Sequence, residues 1–284
     1  MHYTTLENIS IEVLRTTFVE AFSEYEIPIH LTTDSLLEMM RTRDLLLDRS
    51  VGAFDNGNLV GFILCGYRNT TYGATLYDGG TGVIPEYQGN KIAYGMLSWI
   101  LEDATRIGVD RFLLEVLEHN QAAKKLYLRA GFSDRRFFRC YRMEKRLVQK
   151  HSSDLPCSFE PLDREEFEKL DHQKMLSHEP SWQNDIPSVL HNWERLSAVK
   201  VMDNDKVIAY GVIHRTKGDI PQLGLATEYP DSLYGCVLEG LSQLTESKTF
   251  SVTNVEESSR LQQYLMVQGW QNHINQFEML YEFK

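Results

Sequence analysis

The sequence predicts an α/β (α+β) chain of two tandem domains, each a mixed central sheet flanked by helices. Three observations predict it. Strand-like and helix-like stretches alternate along the 284 residues, as they do where helices cover a sheet. A polar stretch at 148–158 that contains Pro156 breaks the series and reads as a linker. Beyond it the same order of elements starts again. The division expected is therefore 1–147, 148–158 and 159–284.

Bulk properties exclude several classes. A formal net charge of −11 offers no basic face to neutralise phosphates, so no nucleic-acid partner is expected. No stretch approaches the roughly 18 apolar residues of a membrane span. The start, Met1-His-Tyr-Thr-Thr-Leu, lacks a basic-then-apolar signal pattern, and a cytoplasmic location is expected. Cys65, Cys140, Cys157 and Cys236 lie far apart without a CxxC pair, and the nine histidines form no HxxxH or HExxH pattern. Reduced thiols and no bound metal are the expectation.

Taken in order, residues 11–26 carry Val13, Thr17, Phe18, Ala21, Phe22 and Tyr25 at helical spacing, and Pro28 ends the segment. Thr33-Asp34 can cap a second helix with Leu36, Leu37, Met39 and Met40 as its apolar residues. Ser50–Phe54 and Leu59–Leu64 then face each other across Asp55-Asn56-Gly57-Asn58, a strong hairpin signal. Residues 66–80, rich in Gly, Thr, Tyr and Asn, read as a loop. Val83 and Ile84 close the next strand, because Pro85 has no N–H for a ladder. Gln88, Gly89 and Asn90 form a turn, and Ile92, Met96, Leu97 and Ile100 start a helix that runs to about Arg106 and stops at Gly108. A Gly-containing turn that opens a helix leaves N–H groups unpaired at the positive end of the dipole, a site for an anion such as phosphate. An ordinary strand-to-helix connection has the same local pattern. Arg111–Leu117 is a strand with Glu115 inside an apolar run; Asn120 caps a helix that Gly131 stops.

Two of these stretches together carry a resemblance. Val83-Ile-Pro85-Glu-Tyr-Gln88-Gly-Asn-Lys91-Ile-Ala93 resembles motif A of the GNAT (Gcn5-related) N-acetyltransferases. Asn120-Gln-Ala-Ala-Lys-Lys-Leu-Tyr127-Leu-Arg-Ala-Gly131-Phe132 resembles their motif B. Motif B departs nowhere at its defining positions. Motif A departs once: Lys91 stands where the family has glycine, and either obstructs a pyrophosphate or pairs with it.

The resemblance implies a sheet with two splayed parallel strands and acetyl-CoA as co-substrate, without metal. The strand Thr81, Gly82, Val83 would pair with acetyl and pantetheine amides through its backbone. The turn Gln88, Gly89, Asn90, Lys91, Ile92, Ala93 and Tyr94 would hold the pyrophosphate. Asn120 would lie near the pantetheine arm, and Tyr127 would be the general acid for the leaving thiolate. A neutral amine must attack, so a base is required; Glu115 is the first candidate, with Glu24 and Tyr25 behind it. A core tyrosine, a strand carboxylate paired with arginine and a simple N-cap are the structural alternatives for Tyr127, Glu115 and Asn120.

The second half repeats the first. Phe54-Asp-Asn-Gly-Asn-Leu-Val-Gly matches Met202-Asp-Asn-Asp-Lys-Val-Ile-Ala, Val83-Ile-Pro-Glu-Tyr matches Leu225-Ala-Thr-Glu-Tyr229, and Leu126–Phe132 matches Tyr264–Trp270. The chemistry is missing from the copy. Asp231 stands at the phosphate turn, Ser258 in place of Asn120 and Leu265 in place of Tyr127. A helix is expected over 164–176, and Trp182 and Trp193 mark a region of pocket or core. The functional expectation is an N-acetyltransferase that moves acetyl from acetyl-CoA to a primary amine of a small molecule or protein, with its active site in the first domain. A non-catalytic acetyl-CoA or CoA sensor is the rival, and a pure interaction module the third reading. Monomer and homodimer are both compatible.

Overall fold

A computed structural model describes residues 1–24, 31–148 and 158–284. Tyr25, and the expected linker apart from its two ends, lie outside the described residues. Two compact units emerge: Met1–Arg135 with Phe277–Lys284, and Arg136–Gln276. The division thus differs from one cut at a linker. The final residues belong to the first unit, a long-range pairing that no local pattern in the sequence announces.

The first unit begins with β1 (His2–Thr5), α1 (Ile11–Ala21) and α2 (Thr33–Thr42). Ser10 caps α1 by accepting from the Val13 N–H at 3.3 Å. The buried face of α1 is Leu14, Thr17, Phe18 and Ala21; Val13, expected inside, is exposed, because Leu14 keeps the better spacing with Phe18 and Ala21. In α2 the cap is Thr32 rather than Thr33, in a capping box with Ser35, and only Leu36 of the expected apolar set is fully buried. The hairpin of β2 (Val51–Asp55) and β3 (Asn58–Thr70) turns at Asn56 and Gly57, both with positive φ, as a two-residue turn requires.

Residues 66–80 correct the loop reading. They complete β3 and most of β4 (Gly73–Val83), whose ladder runs from Thr70↔Gly73 to Gly61↔Val83. Burial of Leu76 and Tyr77 outweighs the turn-rich composition. The register skips Gly79 between Leu64↔Gly80 and Cys65↔Asp78, a β-bulge that bends β4. Next come α3 (Ile92–Arg106), β5 (Arg111–Leu117), α4 (Gln121–Ala130) and the start of β6 (Ser133–Glu144). Sheet order in this unit is β1-β2-β3-β4-β5, followed by the C-terminal part of β12 (Gln271–Glu282). That part is held by Phe283 N–H donating to Asp110 O at 2.9 Å, by the pair of Arg135 with the buried Glu278, and by Tyr281 against Phe132.

In the second unit, β7 (Phe159–Pro161), β8 (Leu196–Asp203), β9 (Lys206–His214) and β10 (Gln222–Leu225) form a sheet in the order β10-β9-β8-β7. β11 (Thr249–Glu256) pairs with β6 from Thr249↔Glu144 to Glu256↔Phe138. The helices are α5 (Arg164–Glu168), α6 (His172–Met175), α7 (Ile186–His191), α8 (Ser232–Ser242) and α9 (Arg260–Val267). The single helix expected over 164–176 is two, because the His172 ring bonds the Phe167 carbonyl at 2.8 Å and takes the acceptor that a continuing helix would use. Trp182 is buried and Trp193 packs on Phe167, so both serve the core. The cap of α9 is Ser259, next to Ser258, the residue matched to Asn120. Cys65 and Cys140 are free and buried, whereas Cys236 is disulfide-bonded, which corrects the reading of four reduced thiols.

Candidate active site

The site starts from the β4–β5 pair. The two strands run parallel through Thr75↔Arg111, Leu76↔Phe112, Tyr77↔Leu113 and Asp78↔Leu114, and pairing ends there. β4 continues to Val83 with β3 on one side and, among the described residues, no β5 partner on the other. The bulge at Gly79 explains the separation: it bends β4 at the residue where pairing stops. We refer to this opening as a fork. Thr81, Gly82 and Val83 form its β4 arm, as expected. A side chain on Gly82 would collide with Phe62 and Ala21 at under 3 Å, so the arm packs tightly on α1.

Beyond the fork, Gln88 Nε2 donates to Val83 O at 3.1 Å and Asn90 Nδ2 to Tyr87 O at 3.2 Å, which shapes the turn. Gly89 has φ +76 with open space where a Cβ would stand. The first bond of α3 is Gly95 N to Lys91 O, so the N–H groups of Ile92, Ala93 and Tyr94 are orphans of its first turn. Lys91 is exposed and adopts the left-handed conformation, φ 60 and ψ 19, that the family's glycine would take freely. Arg129 of α4 stacks on the exposed Tyr94 ring, 5.3 Å from its centroid. It adds a cation at this end of α3 that the sequence reading missed, since it lies between motif positions.

Asn120 caps α4, its Oδ1 accepting from Ala123 N at 3.1 Å. Tyr127 is buried, and its hydroxyl donates to Asp78 Oδ2 at 3.0 Å. Glu115, the first β5 residue past the last pair, accepts from the hydroxyl of the buried Tyr77 at 2.5 Å. Both candidates therefore stand at the mouth of the fork. They do not stand on the same side. Side chains alternate along strands, so Tyr77 and Glu115 face one side of the sheet while Asp78 and Tyr127 face the other. Glu24, the second candidate base, is an exposed turn residue and, among the described residues, makes no bond into this group.

Asp78 is the main residue that sequence reading missed. It also accepts from Thr81 Oγ1 at 2.6 Å and from Gly80 N at 2.9 Å. Burial raises its carboxyl above the usual range, against the opposing pull of the Thr81, Tyr127 and Gly80 hydrogen bonds. An aspartate inside a strand next to two glycines was the available signal. The arrangement fits a thioester co-substrate with a diphosphate arm. An unpaired strand edge suits amides, orphan N–H groups with an open glycine suit phosphates, and a phenol and a carboxylate flank the place between. Among the described residues no His, Cys, Asp and Glu cluster could hold a metal ion, and no helix is long and apolar enough to cross a membrane.

Comparison with known proteins agrees with this geometry. Residues 12–132 match the model of the acetyltransferase (GNAT) family. No curated protein matches the chain. Among solved structures, a tandem GNAT protein from the clavulanic acid biosynthesis pathway superposes with a TM-score of 0.67 at 9% identity, covering 99% of this chain and 98% of that one. A GCN5-related N-acetyltransferase from Sphaerobacter thermophilus gives 0.68 at 12%, covering 99% and 95%. Another from Anabaena variabilis ATCC 29413 gives 0.67 at 16%, covering 98% and 72%. Such identities speak for the fold alone, which is that of a tandem GNAT protein, and the family model identifies residues 12–132 as an acetyltransferase (GNAT) domain.

Proposed function

We propose that the protein transfers an acetyl group from acetyl-CoA to a primary amine, of a small molecule or a protein, by direct attack at the fork of the first unit. The observation that carries this reading is the end of β4–β5 pairing at Asp78↔Leu114 with Tyr127 and Glu115 at its two faces. Acetyl-CoA, when bound, supplies an activated acyl thioester. Glu115 takes the proton that an ammonium must lose before it can attack, and the Tyr77 hydroxyl holds that carboxylate in place. Tyr127 carries, at its hydroxyl oxygen, the proton that a departing sulfur needs. The β4 arm from Thr81 to Val83 and the turn from Gln88 to Tyr94, with Asn120 on the pantetheine side, orient the donor, and such positioning supplies much of the acceleration.

A second reading, a chain that holds acetyl-CoA without turnover, draws on Lys91, whose strained backbone departs from the family's glycine. One experiment separates the two. Calorimetric titration with acetyl-CoA is paired with a free-thiol assay over a panel of primary amines. Binding with thiol release for one amine class is the expected result. Binding without release on any amine leaves the sensor, and absence of binding overturns both.

A further inference from the structure

The buried carboxylate at the fork belongs to no motif. Asp78 is 6% exposed, yet its three partners are all neutral donors: the Gly80 N–H, the Thr81 hydroxyl and the Tyr127 hydroxyl. Burying a carboxylate without a cation is expensive, and an asparagine would brace the bulge as well. The two oxygens divide the work. Oδ1 accepts from Gly80 N beside the extra residue of the bulge. Oδ2 accepts from Thr81 and from Tyr127, and only this second oxygen needs to be an acceptor rather than an amide N–H.

We propose that Asp78 is a positioning residue for Tyr127: its Oδ2 fixes the phenol at the fork, and its negative charge keeps the phenol proton in place at the alkaline pH where amines are neutral. The inference rests on the acetyltransferase reading for its use, though not for its test. An amine acceptor attacks faster as pH rises, while an acid on the leaving-group side fails once it ionises. A carboxylate 3.0 Å from the phenol oxygen disfavours a second negative charge there and so extends the range over which both conditions hold. When sulfur departs, the phenol O–H bond breaks and an S–H bond forms. The phenolate left beside Asp78 then regains a proton from water. Cys65 on β3 pairs with Asp78, and burial, then the Asp78 charge, push its thiol upward. The β5 partner of Asp78, Leu114, is apolar.

The test uses the full chain with carbon-labelled tyrosine, and the Tyr127→Phe variant assigns the Tyr127 signal. In Asp78→Asn the phenol should titrate at least about one pH unit lower than in the wild type. The alkaline limb of kcat for thiol release should move down with it. Acetyl-CoA affinity should stay within about twofold, and the melting temperature should not fall, because the cost of a buried charge is removed. An unmoved Tyr127 titration overturns the proposal, as does a variant that loses kcat and melting temperature together with its alkaline limb in place; Asp78 is then a brace for the bulge only. If the wild type releases no thiol with any amine, the functional reading fails, and the titration alone still decides whether Asp78 governs Tyr127.

Discussion

The two units each contain a fork, and they differ in what fills it. In the first unit β4 and β5 part at Asp78↔Leu114, and the polar groups at the opening are two phenols, each bonded to a carboxylate. In the second unit a parallel bridge, Asp219↔Ser251, joins the segment just before β10 to β11, and among the described residues β10 itself has no β11 partner. There the opening is closed from within. Asn184 Nδ2 donates to Thr253 O at 2.8 Å, and Gln222 Nε2 donates back to Asn184 O at 2.7 Å. Behind Gln222 the chain of hydrogen bonds continues through Tyr210 to His172. Asn184 thus links β10 to β11, its side chain donating to one strand and its carbonyl accepting from the other. The other end is closed as well: Arg260 pairs with Asp231 at 2.5 Å at the start of α8, where an anion would need free N–H groups. One backbone geometry thus serves two ends. Left open and lined with proton-carrying groups it suits chemistry; bridged by amides it is a core.

The largest effect that tests this contrast is on turnover. Tyr127→Phe should lower kcat by about 10²-fold or more with acetyl-CoA affinity retained, whereas Leu265→Tyr, at the matching place in the second unit, should leave turnover unchanged. Thiol release with calorimetry reads both, and equal effects would end the distinction between the forks. Next in size is a pH effect confined to the second unit. Burial, and then the charge of Arg136, hold the His178 imidazole down to about 4. The folded value lies below the unfolded one, so the unfolded chain binds more protons between about 6.5 and 4. Stability is whole above that window and falls as pH drops through it, by up to about 3 kcal/mol. His178→Gln should flatten the acid slope of thermal melts over that window, and an unchanged slope would assign it elsewhere.

Asn184→Ala should cost about 2 kcal/mol, because it strands the Thr253 carbonyl in the closed fork. It should not create acetyl-CoA binding in the second unit, since Arg260 and Asp231 remain. Acetyl-CoA stoichiometry above one in the calorimeter would show that the amide bridge alone kept the ligand out. Smallest is Lys91→Gly. Relief of the left-handed backbone, less the entropy of a glycine in the unfolded chain, should stabilise the first unit by about 0.5–1 kcal/mol. If the ammonium pairs with phosphate, the same variant should weaken acetyl-CoA binding more at low salt than at high salt. Tighter binding would identify Lys91 as an obstruction.

Much of the fold was legible because its signals are local. Asn56-Gly57 marked a hairpin, Pro85 ended a strand, and Asn120 and Gly131 bounded a helix at the residues observed. The hydrogen bonds of Tyr127, from motif B, and of Glu115, the candidate base on β5, bring both side chains to the fork. What local pattern could not reveal was tertiary. Residues 66–80 look like a loop until Leu76 and Tyr77 are buried between two neighbouring strands. The break between α5 and α6 depends on one imidazole reaching a carbonyl. Asp78 has no motif, and its meaning arises only when α4 brings Tyr127 against it. Val13 is a local misreading by contrast: Leu14, next to it, keeps the i, i+4, i+7 spacing with Phe18 and Ala21.

The placement of Phe277–Lys284 in the first unit has a consequence for biogenesis. The ribosome delivers residues 1–135 before 136–276, yet the strand that covers the outer edge of β5 emerges only after both. All of 136–276 is available before it. The usual vectorial order, in which the N-terminal domain folds first, is therefore reversed for the unit that holds Tyr127. Until residues 277–284 emerge the nascent chain presents an unpaired β5 edge, the kind of surface that chaperones shield and that seeds aggregation.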